Sequence, residues 1–323
     1  MNPPDFHSAM AERMKGFVAL RRLAGTDYQS QTRLLIYFDA FLVKEHFHQP
    51  CLTREIIQRY LNSLSRLHPR TRYNRFSVVS QFARYLSRFE PRSYIPEAIR
   101  SAKSETSRIP YIFTQAQIQD LLTEATQLQP HRSLRPHTYR TLFGLLYTTG
   151  LRIGEALALT LNDFYPVSMR LHIREGKFHK SRWVPLAPST SAILQQYIDQ
   201  RQKMVPSTKE APLFISLRHR PLHPSTVYQT FCTLLKQCRI PKGKGHGPRI
   251  HDLRHTFAVH RLLQWYDDGQ DINARLPALA TYMGHVGVGS TQTYIQATPE
   301  LYQQALQRFL TFVQNNITRG GLL

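Results

Sequence analysis

The sequence predicts a mainly α fold with a small β-hairpin or sheet, an α+β chain in two parts, and three observations predict it. Apolar residues recur at three- and four-residue spacing through four stretches before residue 92. A segment at 93–113 that carries Pro and Ser has no sustained period. Beyond it the helical period returns and is broken once, at residues 170–186, where β-favouring residues flank a short polar turn.

The chain has 323 residues, 41% of them hydrophobic, enough for about two domains that each bury a core. Its 42 Lys and Arg against 21 Asp and Glu give a formal charge of +21, which points to a polyanionic partner. Basic residues outnumber acidic ones about two to one on both sides of residue 110. Both parts should therefore touch that partner, which a single basic tail would not require. Cys51, Cys232 and Cys238 are too few and too scattered for a disulfide framework, and they suit a reducing compartment. Cys232 and Cys238 read as small buried hydrophobes on a helix. No leader-like N-terminus and no apolar run of bilayer length occurs, so the expected location is the cytoplasm, with no membrane contact.

The first part, residues 1–92, reads as a bundle of four helices that would bind DNA. Their apolar positions are Met10, Met14, Phe17 and Leu20; then Leu34, Leu35, Phe38, Phe41 and Leu42; then Ile56, Ile57, Tyr60, Leu61 and Leu64; then Phe76, Val79, Phe82, Ala83 and Leu86. Thr53 is placed to cap the third. Residues 66–92 carry Arg66, Arg70, Arg72, Arg75, Arg84, Arg88 and Arg92 against one acid, Glu90. A helix so biased in sign can lie along a DNA groove and neutralise phosphates whatever their sequence. Residues 93–113 read as a basic interdomain linker, with Lys103 and Arg108 available to DNA.

The second part, residues 114–323, opens on Thr114, an N-cap before Ile118, Leu121 and Leu122. A helix from about Tyr139 to Thr148 stops at Gly150. Arg152 then begins another helix with Glu155 three residues on, which puts the two on one face. A helix N-terminus already favours an anion, and an arginine there strengthens the site, although a salt bridge alone is the plainer reading of the pair. Residues 170–174 and 182–186 form the hairpin, with Lys177 in its turn. Helices follow at about 188–203 and 224–239. The loop from Pro241 to Arg249, with Lys242 and Lys244, lacks the ending of a nucleotide-binding loop and reads as a contact to DNA phosphates.

From Ile250 to about Gln264 the helical period is uninterrupted, so His251, Arg254 and His255 fall on one helix face. An imidazole beside a guanidinium suits a phosphodiester, because Arg forks onto phosphate oxygens and His moves a proton near neutral pH. Residues Gln264 to Asp271 read as a long connection to an apolar helix (Leu276, Leu279, Ala280, Met283) that Gly284 ends. His285 follows, and Tyr294, nine residues later, is placed to act as a nucleophile. A last helix from about Pro299 to Val313 has an apolar stripe that can fold back on its own domain or dock on a neighbouring molecule.

Taken in order behind a basic helical domain, Arg152, Lys177, His251, Arg254, His285 and Tyr294 resemble the tyrosine recombinase, or phage integrase, family. The likeness covers essentially the whole chain. It departs from the compact family pattern at Gln264–Asp271, which leaves the roles intact and the local DNA contacts there open. The resemblance implies a tyrosine-recombinase catalytic domain that cleaves and rejoins DNA strands through a 3′-phosphotyrosyl link formed by Tyr294. Arg152 and Arg254 would brace the non-bridging oxygens, Lys177 would protonate the leaving 5′ oxygen, His251 would take and return the tyrosine proton, and His285 would hydrogen-bond the phosphate, with Glu155 steadying Arg152. It implies double-stranded DNA as partner, a homotetramer on DNA through the C-terminal helix, accessory DNA-bending proteins, and neither cofactor nor metal. A type IB-like topoisomerase and a non-catalytic DNA-binding protein of the same fold are the alternatives.

Overall fold

The computed structural model describes residues 5–97, 110–174, 181–241 and 247–284. Lys103, Arg108, Lys177, Lys242, Lys244, His285, Tyr294 and the C-terminal helix lie outside the described residues. The chain divides into two compact units, 1–107 and 108–323.

The first unit is four helices, α1 (Ala11–Leu23), α2 (Gln29–Lys44), α3 (Arg54–Ser63) and α4 (Pro69–Leu86). Most of the periodic apolar residues are its core: Met14, Phe17, Leu35, Phe38, Ile56, Tyr60, Val79 and Phe82 are buried, whereas Leu20, near the end of α1, is exposed. Phe17 meets Phe82 and Phe38 meets Tyr60 edge-on, at 5.7 and 4.8 Å between ring centroids. Thr53 caps α3 by accepting the Ile56 N–H at 3.3 Å. A buried acid, Asp39, is satisfied by the backbone N–H groups of His7 and Ser8, which pins the segment before α1 to α2.

On the Arg-rich α4, Phe76, Val79, Phe82 and Leu86 face inward and Arg70 and Arg84 outward. Arg66, just before the helix, is also exposed, whereas Arg72 and Arg75 are half-buried. Arg75 lies over the Tyr37 ring at 4.0 Å.

Both ends of the segment read as a linker are held within the units. Tyr94 donates its N–H to Leu52 O, and Leu52 donates to the buried Ser93 hydroxyl. Phe113 is fully buried and donates its N–H to Thr256 Oγ1 at 3.1 Å.

The second unit comprises α5 (Gln115–Thr126), α6 (Arg135–Thr149), α7 (Ile153–Ala158), strands β1 (Phe164–Tyr165), β2 (Arg170–Ile173) and β3 (Arg182–Pro185), then α8 (Pro188–Met204), α9 (Pro224–Gln237), α10 (Ile250–Asp267) and α11 (Ile272–Met283). Thr114 and Gln117 form a reciprocal capping box at the start of α5. The hairpin is the larger part of a three-stranded antiparallel sheet, β1-β2-β3, with Leu171 opposite Val184 and both buried. The two-residue β1 is too short to carry an alternating pattern, so no sequence signal marked it.

Two further expectations are corrected. Gln264–Asp267 is not part of a long connection but the last turn of α10, and Gly269 in the left-handed conformation makes the stop. Asp271 then caps α11 by accepting from Asn273 and Ala274. Cys232 and Cys238 are half-buried rather than buried. Burial nevertheless pushes the Cys238 thiol up to about 11, away from reactivity. Among the described residues no helix is long and apolar enough to cross a membrane.

Candidate active site

Two glycines let the elements of the site meet. Gly150 ends α6 at φ 62°, and a Cβ there would run into the Phe257 ring of α10. Gly284 ends α11 at φ 68°, and a Cβ there would stand 2.8 Å from the Arg182 guanidinium carbon. Both positions need the left-handed backbone and the missing side chain together.

The last carbonyls of α11 are the focus. A helix leaves its final carbonyls unpaired and its C-terminal end partially negative. Here three arginines from three elements take three carbonyls in succession. Arg182 of β3 donates Nε to Tyr282 O at 3.0 Å, Arg254 of α10 donates Nη2 to Met283 O at 2.7 Å, and Arg152 donates Nη2 to Gly284 O at 3.0 Å. Arg254, only 2% exposed, also donates Nη1 to Gly150 O at 2.5 Å. One buried side chain thereby ties the end of α6 to the end of α11.

Glu155 is the counter-charge. Its carboxylate accepts Arg152 N–H at 3.0 Å and Arg152 Nη1 at 2.7 Å, and it receives the Arg182 fork, Nη1 at 3.1 Å and Nη2 at 2.9 Å. Burial by itself would raise this carboxyl. The bonds and charges of Arg182 and Arg152 outweigh that and hold it down at about 2. Glu155 is therefore a fixed anion.

His251 and His255 stand one turn apart on α10 with their rings perpendicular and 4.8 Å between centroids. His251 is exposed, yet neighbouring atoms displace enough water to lower it below 6.5, and the charges of Arg254, Arg249 and Arg152 add to the effect. His255 is half-buried, and desolvation followed by His251 brings it to about 4. Both imidazoles are neutral at pH 7, so His251 is able to accept a proton.

The structure thus brings Arg152, Glu155 and Arg254 of the sequence-derived set together around the end of α11, at the residue before His285, with His251 within electrostatic reach of Arg254 and Arg152. It adds Arg182, which no motif marked: an arginine opening a β-strand has no local signature, and only the fold aims it at Glu155. His255 was visible on the helix face without a role.

The sequence model of the phage integrase family matches residues 112–300. The chain belongs to this family. It is accordingly a site-specific recombinase of the tyrosine class, an enzyme that breaks and rejoins DNA. Among relatives of this integrase-family chain, a putative integrase/recombinase y4rB of Sinorhizobium fredii is 37% identical over 308 residues, covering 93% of this chain and 97% of that one. The tyrosine recombinase XerC of Lacticaseibacillus casei is 27% identical, covering 75% and 77%. In fold, the chain resembles the XerH site-specific recombinase, solved bound to its difH substrate in a pre-cleavage complex, with a TM-score of 0.63 at 18% identity, covering 89% and 82%.

Proposed function

We propose that this recombinase cleaves duplex DNA by attack of the Tyr294 hydroxyl on the scissile phosphate. The tyrosine O–P bond forms, the P–O5′ bond breaks, and the 3′ end is left joined to the protein. The phenolic proton passes to His251, and Lys177 protonates the departing 5′ oxygen. Arg152 and Arg254 hold the non-bridging oxygens as charge builds on phosphorus, and His285 adds a hydrogen bond. Rejoining is the reverse attack by a 5′ hydroxyl. Bond energy is kept in the phosphotyrosyl link, so no nucleotide is consumed.

The convergence of Arg152 and Arg254 on consecutive carbonyls, next to His251, is the observation that carries this reading. Two guanidinium groups held at one point, with a neutral imidazole in reach of both charges, form a phosphate-binding corner beside a base. In the same reading the 1–92 bundle grips DNA with Arg66, Arg70, Arg72 and Arg75, the 93–113 segment adds Lys103 and Arg108, and Lys242 and Lys244 contact phosphates near the 114–323 catalytic domain. The net charge of +21 supports that footprint. The working form is a homotetramer on DNA, assembled through the apolar stripe of the C-terminal helix.

The test is covalent trapping on a nicked suicide duplex carrying a site the protein binds, with wild type beside Tyr294→Phe. A protein–DNA band formed by wild type alone is the expected result. No band from wild type on bound DNA would leave only DNA binding.

A further inference from the structure

Arg182 has no part in the reaction just described, although it makes three of the bonds that shape the corner. We propose that Arg182 is a positioning residue for Arg152. It shares Glu155 with Arg152, so that the carboxylate neutralises Arg152 only in part and the remaining charge is aimed at a non-bridging phosphate oxygen. This rests on the reading of Arg152 as a phosphate-binding group.

The geometry supplies the reasons. Two guanidinium groups share one carboxylate, so one positive charge is left over at the site. Arg182 occupies both Glu155 oxygens with its two terminal nitrogens, whereas Arg152 spends a single side-chain nitrogen on the carboxylate. Without Arg182, the same carboxylate would be open to a two-pronged pair with Arg152, the most favourable arrangement for those groups. Arg152 would then be neutralised and turned away from DNA. The side-chain exposures agree: Arg182 is 13% exposed and Arg152 25%, so the second is the more open to a ligand.

The third nitrogen of Arg182, Nε, fixes Tyr282 O, one residue from the Met283 carbonyl that Arg254 holds and two from the Gly284 carbonyl that Arg152 holds. Arg182 thus sets both the partner and the backing of Arg152. Lysine keeps the charge but offers one nitrogen in place of three fixed directions, so Arg182→Lys should fail at this task.

The experiment compares wild type, Arg182→Lys and Arg182→Met on two suicide duplexes, one with an ordinary scissile phosphodiester and one with a methylphosphonate at that position. The methylphosphonate replaces a charged oxygen by a neutral methyl group, so cleavage depends less on a cation there. Duplex binding and melting temperature are measured alongside. The expected result is unchanged binding, with cleavage of the phosphodiester slowed by about tenfold to 100-fold in both variants. On the methylphosphonate that deficit should shrink to within about threefold.

Equal deficits on the two substrates would mean that Arg182 is merely structural, and absence of any deficit would mean that it does nothing for Arg152; either overturns the proposal. Should Arg182→Met melt early, Arg182→Lys carries the comparison. Failure of wild type to cleave the ordinary duplex would instead overturn the phosphodiester-cleavage reading, an outcome distinct from wild-type cleavage with equal deficits.

Discussion

Arg254 donates to the carbonyl of Gly150, 104 residues earlier in the chain, from a position that is 2% exposed. A residue expected to meet a phosphate is therefore also a strut between α6, α10 and, through Met283 O, α11. Removing it leaves two buried carbonyls without a charged donor. Arg254→Met should cost on the order of 3 kcal/mol, or about 6–12 °C of melting temperature for a unit of this size. Arg152→Met, at a more open position, should cost less than half of that. Thermal melts of the two variants check this, and equal losses would contradict it.

Glu155 sets a prediction at low pH. Its folded value of about 2 lies below the ordinary 4.5, so its stabilisation is complete above pH 4.5 and fades as pH falls toward 2. The contribution at neutral pH is on the order of 3 kcal/mol. Denaturant titrations across that window should show wild type losing stability more steeply than Glu155→Gln. Parallel curves would count against the paired carboxylate.

The two histidines act at a higher window. His255 falls from 6.5 to about 4 on folding, mainly by desolvation, so protonation favours the unfolded chain. Its neutral form is without penalty above pH 6.5, and stability is lost as pH drops from there toward 4. His255→Gln should flatten this segment of the stability curve. His251, also lowered, keeps its accepting form below pH 6.5, so the rate of covalent adduct formation should hold as pH falls to 6.5 and decline only at more acid values.

Gly284 and Gly269 separate backbone strain from crowding. Both have positive φ, 68° and 72°, but a Cβ at Gly269 meets nothing within 4 Å, whereas one at Gly284 stands 2.8 Å from Arg182. Gly269→Ala should cost about 1 kcal/mol and leave cleavage unchanged. Gly284→Ala should cost more and slow cleavage, because it displaces Arg182. Adduct yields from the pair decide the matter.

Arg70 and Arg75 should part ways in the first unit. Arg70 is exposed, and Arg70→Gln should lower the slope of log affinity against log salt by about 0.9 without changing the melt. Arg75 lies over Tyr37, so Arg75→Gln should also lower the melting temperature of the bundle by the loss of about 0.5–1 kcal/mol. A salt titration with a melt for each variant tests both.

The sequence by itself determined most of the elements, the family, and which residues are candidates for the chemistry. Helical period in α1 to α4, caps at Thr53 and Thr114, the stops at Gly150 and Gly284, and the strand pair around Lys177 are all local: each depends on side chains within a few residues of one another. The order Arg152, Lys177, His251, Arg254, His285 and Tyr294 was legible for the same reason, since reactive residue types stood in recognisable local settings. Tertiary structure alone decided how Arg152, Glu155, Arg182 and Arg254 engage one another and the end of α11. No spacing says that Arg182, Arg254 and Arg152 will take the carbonyls of Tyr282, Met283 and Gly284 in turn, or that Glu155 will be shared by two arginines 30 residues apart in chain position, as Arg152 and Arg182 are. Those are long-range hydrogen bonds, set by how three helix ends and a strand pack. The brief β1 and the run of α10 to Asp267 also waited on packing, because a two-residue strand carries no period of its own and the last turn of α10 is held by Trp265 packing on the cluster that joins α10 to α11.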